Sequence, residues 1–517
     1  MSPSTQASRR DWIGLAVITL PCLLYSMDLT VLNLALPSLS VALSPSSVEQ
    51  LWIVDIYGFT LAGALIPMGA LGDRIGRRKL LLLGAAAFGA LSVLAAFSVS
   101  AGMLIATRAL LGVAGATLAP STLSLIRNMF ADERERTTAI GIWATSYAVG
   151  AAVGPLLGGL LLQYFWWGSA FLIGVPVMAL LLLVGPVLLP EFRDPDGRKI
   201  DLLSASMSLC GVLSVIYALK QTALHGLRAS CALLLLVGIA LGMAFVRRQR
   251  RIASPLIDLA LFRRPAFVAA LTTNSLCVFV TFGTLLTVAQ YLQLVLGLSP
   301  LSAGLWTVPF SGGFIVGSIL APLLVRRLRA ESVLVLGLSV GVLGSVLLSQ
   351  ISVGTPVGYV VAGSAVLAVG IAPVLTLSTD RIVGFAPPER AGAAAALSET
   401  GAELGGALGI AVLGSVVSSA YRLHMTDWNG AGLSEPSSSA VRDSLSGALA
   451  AASELPVQSA SGLLARAREG FTTGLHFTAV FSAVFLAGLA LLTVRQARSA
   501  NAGSLRAEDQ DRAGSCL

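Results

Sequence analysis

Residues 49–98 read EQLWIVDIYGFTLAGALIPMGALGDRIGRRKLLLLGAAAFGALSVLAAFS, two long apolar runs joined through Asp73-Arg74-Ile75-Gly76-Arg77-Arg78-Lys79. Each run has the roughly 20 residues a helix needs to cross a hydrocarbon core about 30 Å thick. The joint is short and basic, as cytoplasmic loops are. Helix, basic loop, helix is therefore the unit to look for in the rest of the chain.

Working outward, apolar runs fall at 12–36, 49–71, 80–98, 101–126, 138–162, 168–189, 201–220, 229–246, 266–296, 301–325, 332–351, 356–379, 392–420 and 471–494. These predict a polytopic all-α membrane protein of fourteen spans. Only 12% of the 517 residues are charged and 55% are hydrophobic, against about 25% charge in a soluble domain. The first run contains Asp28 and Asn33, which suits a retained helix better than a cleaved signal peptide.

An even number of spans puts both termini on one side. With the N-terminus inside, external segments hold Lys220, Arg228, Arg422, Arg442, Arg466 and Arg468, and Arg108 falls within a span, so 27 of the 34 basic residues are cytoplasmic. Four of the external six belong to the long segment 421–470, and long loops translocate regardless of charge. Both ends are expected in the cytoplasm. The net charge of +8 thus reflects topology and gives no reason to expect nucleic acid as a partner. Segment 421–470 has helical composition at about 440–454 and 459–470, predicting a small external hairpin, and the polar tail from 495 is expected to be flexible.

The domain plan that follows is a cytoplasmic N-terminus (1–11), a six-helix bundle (12–189), two inserted spans with their loops (190–265), a second six-helix bundle (266–494) and a cytoplasmic tail (495–517). A faint internal echo supports two related bundles: Gly69-Ala-Leu-Gly-Asp-Arg-Ile-Gly-Arg-Arg after span two, and Gly317-Ser-Ile-Leu-Ala-Pro-Leu-Leu-Val-Arg-Arg after span ten.

An ionisable side chain inside a span costs about 2.5–3.5 kcal/mol, so each such residue asks for a reason. The clearest are Asp28, Asp55, Arg108, Glu399, Glu403 and His476. At 1.5 Å per residue, Asp28 and Asp55 lie about 12 Å and about 9 Å from the outer ends of adjacent spans. Glu399 and Glu403 are one helical turn apart on a single face. Carboxylates in such a setting can exchange a proton for a cation; the alternative is structural pairing, for instance of Asp28 with Arg108. His476 reads as interfacial packing, and Asp201 and Asp380, at span ends, as solvated. Trp52, Tyr57, Trp143 and Tyr147 are candidates for a cation–π cavity, with packing as the blander reading. Span five carries Gly150, Gly154, Pro155, Gly158 and Gly159, a pattern for close helix contact with a bend. The five cysteines are scattered and there are three histidines, so neither a metal site nor a Ser/His/Asp set is expected. No Walker loop is present. An enzyme is not expected.

These motifs resemble the major facilitator superfamily. Gly69-x-Leu71-x-Asp73-Arg74-x-Gly76-Arg77-Arg78 is similar to that family's signature between helices two and three, where Asp and Arg residues form a cytoplasmic charge latch. Arg108-x-x-x-Gly112-x-x-Gly115-Ala116 resembles its helix-four motif for proton transfer, and Gly150 to Gly159 its helix-five antiporter motif. Asp28-x-Thr30-Val31-x-Asn33-x-Ala35-Leu36-Pro37 resembles helix one of the fourteen-helix drug:proton antiporter branch. Trp52 to Tyr57 and Ser398 to Gly406 look like the QacA, SmvA and LfrA type within that branch. One departure is that span ten has no acid, where some relatives use one for divalent cations.

The resemblance implies a bacterial inner-membrane secondary transporter, free of cofactors and driven by the proton motive force, exporting lipophilic cations as a monomer in the bilayer. Asp28, Asp55, Glu399 and Glu403 would carry protons and cations and Arg108 would tune proton transfer. Asp73, Arg74, Arg77 and Arg78 would gate the cytoplasmic side. A dedicated exporter of one antibiotic or metabolite, and more distantly a non-transporting sensor, are the competing readings.

Overall fold

The computed structural model describes residues 7–514 apart from 46, 194–200, 226–227, 253–254, 389–390, 427 and 429–433. Every regular element among the described residues is helical. The order begins α1 (Arg9–Leu43), α2 (Ser47–Ile75), α3 (Arg77–Ala96), α4 (Ala101–Met129), α5 (Glu133–Tyr164), α6 (Ser169–Leu172) and α7 (Gly174–Leu188). Next come α8 (Leu202–His225), α9 (Ala229–Gln249), α10 (Pro265–Gln290), α11 (Pro300–Val325), α12 (Ala330–Leu348), α13 (Val357–Gly384) and α14 (Ala391–Met425). The chain ends with α15 (Glu435–Asp443), α16 (Leu445–Ala452) and α17 (Val457–Gly514). Fourteen stretches among the described residues are long and apolar enough to cross a membrane, α6 and α7 together making the sixth.

The starts of these helices are written in the chain. Ser8 and Asp11 form a reciprocal capping box at α1, and Ser100 accepts from the Met103 N–H at α4. Asp132 accepts from the Arg134 and Glu135 N–H groups at α5. Each cap satisfies donors that an α-helix leaves unpaired at its first turn. Gly76, between α2 and α3, has φ 111°, a conformation that side chains with a Cβ resist.

Two expectations need correction. The second helix of the external hairpin is not separate: α17 starts at Val457 and runs unbroken into the last span. The same helix continues to Gly514, where a flexible tail was expected, because no Pro or Gly-Pro breaker intervenes. The segment between the last two spans is organised by α15 and α16. Tyr421 donates from its hydroxyl to Val441 O at 2.8 Å, and Arg466 donates to His424 O at 3.2 Å.

The helices form two compact units, one holding the chain up to Leu286 with Ser378–Ser415, the other Thr287–Leu377 with Val416 onward. In the first unit backbones touch through glycine. A Cβ on Gly112 of α4 would strike the α2 backbone at Tyr57, and one on Gly150 of α5 would strike α1 at Leu23. Gly283 of α10 meets α14 in the same way, its Cβ position 2.7 Å from Gly409 O. In the second unit, Gly313 and Gly317 of α11 bring Cβ positions within 2.6 Å of the Ala365 and Val369 carbonyls of α13. The pairings α1 with α5 and α2 with α4 are thus repeated as α10 with α14 and α11 with α13. The weak echo in sequence is a clear echo in packing. Within the second unit His476 hydrogen-bonds Ile351 O, a structural contact.

Candidate functional site

The first unit buries charge at two levels. In its interior, α4 presents Arg108, fully buried, whose Nη1 lies 2.5 Å from Asp28 Oδ2 on α1. Arg108 Nε also donates to Ile53 O of α2 at 3.2 Å, and the guanidinium sits 4.6 Å from the centre of the Tyr57 ring. Arg108 is therefore gripped by an anion, a carbonyl and a π-face. Its Nη2, and the Tyr57 hydroxyl, are buried with no hydrogen-bond partner. Of the two sequence readings of Asp28, the ion pair with Arg108 is what the structure displays.

One turn before Asp28, Tyr25 donates to Glu403 Oε1 on α14 at 2.7 Å. Its ring lies 6.2 Å from Tyr57 and 5.7 Å from Tyr147, and Tyr147 lies 4.9 Å from Trp143. Trp143 donates to Thr122 Oγ1 at 3.1 Å, and the Cys22 thiol lies 3.7 Å from the same oxygen. Glu399 is within electrostatic reach of Glu403 and of Tyr25 and Tyr147. Asp28, Arg108, Tyr57, Tyr25, Glu403, Glu399 and Tyr147 thus form one connected group built by five helices. Two small cavities touch it, about 20 Å³ beside Asp28 and about 10 Å³ beside Tyr25, Tyr57 and Tyr147. Each has room for about one water.

Other candidates fall elsewhere. Trp52 stacks on Tyr217 of α8 at 5.7 Å and packs with Phe59, so it belongs to a helix interface rather than to the Tyr25 group. Asp55 is half-buried on α2. On α5, Gly150 and Gly158 make close contacts with α1, at Leu23 and Val31, and Gly154 is buried. Gly159 is exposed and faces open space, so it takes no part in that packing. The Pro155 side chain lies outside the described residues.

The second level is the end of the spans. Asp73, at the last turn of α2, pairs with Arg77. Its two oxygens also accept from the Gly392 and Ala393 N–H groups at 3.4 and 3.2 Å, capping the first turn of α14. Arg77 donates onward to Gly69 O at 2.9 Å. Arg78 donates to the Pro186 and Leu189 carbonyls at 3.1 and 3.0 Å. Glu191 accepts from the Arg78 and Lys79 N–H groups at 3.1 Å each, capping α3. Arg74 is exposed.

Sequence reasoning missed a second buried pair at this level. Asp380, expected to be solvated, is 4% exposed. Its Oδ1 lies 2.5 Å from Arg136 Nε and its Oδ2 accepts from Thr137 Oγ1 at 2.6 Å, both on α5. Asp201 is likewise paired, with Arg248 Nε at 2.6 Å and Ser204 Oγ at 2.7 Å. Arg248 and then Ser204 hold this carboxyl, just outside the span, well below the usual carboxylate range. Tyr25 had a signal, sitting three residues before Asp28 on the same helix face. The Arg136–Asp380 pair had none, its members being 244 residues apart.

Comparison with known proteins fits this architecture. The Major Facilitator Superfamily model matches residues 20–410. The chain is 42% identical over 483 residues to the multidrug efflux pump LfrA of Mycolicibacterium smegmatis, covering 93% of this chain and 95% of that protein. It is 36% identical over 476 residues to the methyl viologen resistance protein SmvA of Salmonella typhimurium, covering 92% and 95%. Its fold is similar to the crystal structure of the human organic anion transporter MFSD10, with TM-score 0.59, 15% identity and coverage of 93% and 100%. The fourteen spans, the repeated helix pairings and these likenesses agree: the chain belongs to the Major Facilitator Superfamily and is a multi-pass membrane transporter with two six-helix bundles and two inserted helices.

Proposed function

We propose that this transporter exports lipophilic cationic compounds, such as quaternary ammonium antiseptics and dyes, in exchange for protons. The observation that carries the reading is the connected interior group, in which the Asp28–Arg108 pair and the Tyr25–Glu403 hydrogen bond meet around Tyr57. A proton arriving at Asp28 releases Arg108 from its anion; one arriving at Glu403 reverses the demand on the Tyr25 hydroxyl. Each event changes what holds α1 against α4 or α14, which is how protonation can drive rocking of a bundle. The adjoining cavities admit water rather than a dye, so protons load this group while it is buried and cargo meets the carboxylates only once helices part. Names of the related proteins, an efflux pump and a methyl viologen resistance protein, support cationic cargo.

Asp73, Arg77 and Arg78 hold the cytoplasmic latch in this scheme. The basic residues concentrated in alternate loops favour both termini in the cytoplasm of a bacterial inner membrane. The driving force is the proton motive force alone, with no cofactor, acting on a monomer. One charge moved through 100 mV supplies about 2.3 kcal/mol, roughly fifty-fold accumulation.

Ethidium efflux from energised cells tests this. Wild-type efflux should collapse on adding a protonophore, and Asp28→Asn and Glu403→Gln should each lose it. Efflux that survives the protonophore would refute proton coupling; two variants that both export like wild type would refute the site.

A further inference from the structure

Asp28 borders water-sized space on one particular side. The cavity of about 20 Å³ beside it is walled by α1, α3, α6 and α7, all within the first unit. Helices α3, α6 and α7 contribute Phe88, Ser92, Ala170, Phe171, Ile173 and Gly174. Of these side chains only that of Ser92 can hydrogen-bond, and the residue is 2% exposed. Its hydroxyl borders the cavity: a Cβ built on Gly174, another wall residue, would lie 3.5 Å from Ser92 Oγ. Asp28 faces the same space, and its side chain keeps 16% of its surface while its partner Arg108 keeps none. The cavity also has a direction. Ser92 lies about one turn before α3 ends at Ala96, and Ala170 is the second residue of α6. The space therefore lies between Asp28 and the ends of α3 and α6 that face outward in the proposed orientation.

We propose that this cavity holds the water through which Asp28 takes up its proton, and that Ser92 positions that water. The proposal rests on the exchange proposed above and adds the route of the proton. A space of about 10–15 Å³ admits one water, provided that it finds at least two polar partners. Here the Asp28 carboxylate accepts from it, and the Ser92 hydroxyl can donate or accept. An arriving proton turns this water into hydronium, which passes one proton to the Asp28 carboxylate and is water again. Arg108 then faces a neutral acid. The other titratable groups near Asp28 are Arg108 itself, from α4, and Tyr57, from α2; Tyr147 of α5 packs on Tyr25 instead. None of them lies on the cavity wall, so the water is the group placed to deliver a proton from that side. The space is too small for a dye, and cargo does not compete with the proton there.

Gly174 supplies the means of displacing the water. An alanine methyl there would sit 3.3 Å from Phe88 Cε1 and 3.5 Å from Ser92 Oγ, close to ordinary contact, on a residue that is already helical. Ethidium efflux by the full-length protein in energised cells is measured against external pH, relative to wild type at each pH. Proton uptake limits the cycle when protons are scarce, so the loss should grow as external pH rises. Gly174→Ala should lose about tenfold or more near pH 8 and approach wild type near pH 6. Ser92→Ala keeps the space but removes one hydrogen bond, and should lose about two- to tenfold near pH 8. Ser98→Ala, whose hydroxyl is engaged by Leu94 O, should follow wild type throughout. Ethidium affinity and thermal unfolding of the purified variants should be unchanged, and if Gly174→Ala does not fold, Ser92→Ala decides alone. A wild-type pH profile in the folded variants overturns the proposal, as does a loss of the same size at every pH. Protonophore-sensitive wild-type efflux beside such profiles removes the cavity's role and leaves the exchange standing. Wild-type efflux that ignores the protonophore removes both.

Discussion

Charges are buried at the ends of the spans and again in their interior, but the two levels are finished differently. At the ends, both oxygens of Asp380 are engaged by Arg136 and Thr137, and both oxygens of Asp73 accept from the first turn of α14. In the interior, Arg108 keeps one nitrogen without a partner and Tyr57 an unpaired hydroxyl, beside cavities of water size. A fully satisfied buried charge holds elements in place, whereas an under-satisfied one retains capacity for another ligand or proton. On the proposed exchange, the ends fasten the helices and the interior carries the chemistry.

The largest effect should come from breaking the interior pair. Asp28→Leu leaves Arg108 charged and fully buried, a change that costs about 3–5 kcal/mol when one partner of a buried pair is lost. Adding Arg108→Met should recover most of that stability, read as thermal unfolding of the purified protein, while efflux stays absent. The double variant separates stability from coupling. If it exports ethidium at the wild-type rate, the interior group is mere structure and the contrast fails.

A smaller effect is expected at the ends. Asp380→Asn keeps the shape of the side chain but reduces charge-assisted hydrogen bonds, which contribute about 1.5–3 kcal/mol each. Thermal unfolding should fall accordingly, yet protonophore-sensitive ethidium efflux should persist, changed in rate and not abolished. Complete loss of efflux in a folded Asp380→Asn protein would place proton coupling at the ends as well.

Helix α5 offers an internal control, because one motif contains a packed and an unpacked glycine. Gly150→Leu drives a side chain into the α1 backbone at Leu23 and should cost about 1–3 kcal/mol or more, as overpacking does. Gly159→Leu faces open space and should stay within about 0.5 kcal/mol of wild type. Comparable yields of folded protein from the two would deny α5 its close contact with α1.

That motif also illustrates what sequence could and could not disclose. The spans were legible because membrane solvent imposes length and hydropathy on every one of them, and helix starts because Ser8, Ser100 and Asp132 write their caps locally. Asp28, Arg108, Glu399 and Glu403 stood out because their residue types are costly where they lie. Their partners stood out less: Tyr57 only as one of four candidate aromatic faces, and Tyr25 only by its place one turn before Asp28. Asp380 at a helix end is ordinary in water, so only the tertiary fold, bringing Arg136 across 244 positions, shows that it is buried. Trp52 takes the packing reading of its two, and sequence could not name its stacking partner: Tyr217 lies on an inserted helix whose docking site no local pattern encodes.

The smallest effect belongs to Asp201, which is paired like Asp380 but partly open to solvent. Its carboxyl, held by Arg248 and Ser204, titrates well below its ordinary value. A carboxyl with a depressed folded-state pKa contributes its full stabilisation above the unfolded value, about 3.9, and loses it as pH falls through the folded value. Asp201→Asn should therefore leave efflux unchanged and lower thermal stability slightly and evenly across pH 5–8. Below about pH 4, wild type should lose part of its advantage and the two unfolding curves should converge. A gap that stays constant into acid would mean that the carboxylate charge at 201 contributes nothing, and that at the ends of the spans it is the buried pairs alone that fasten the helices.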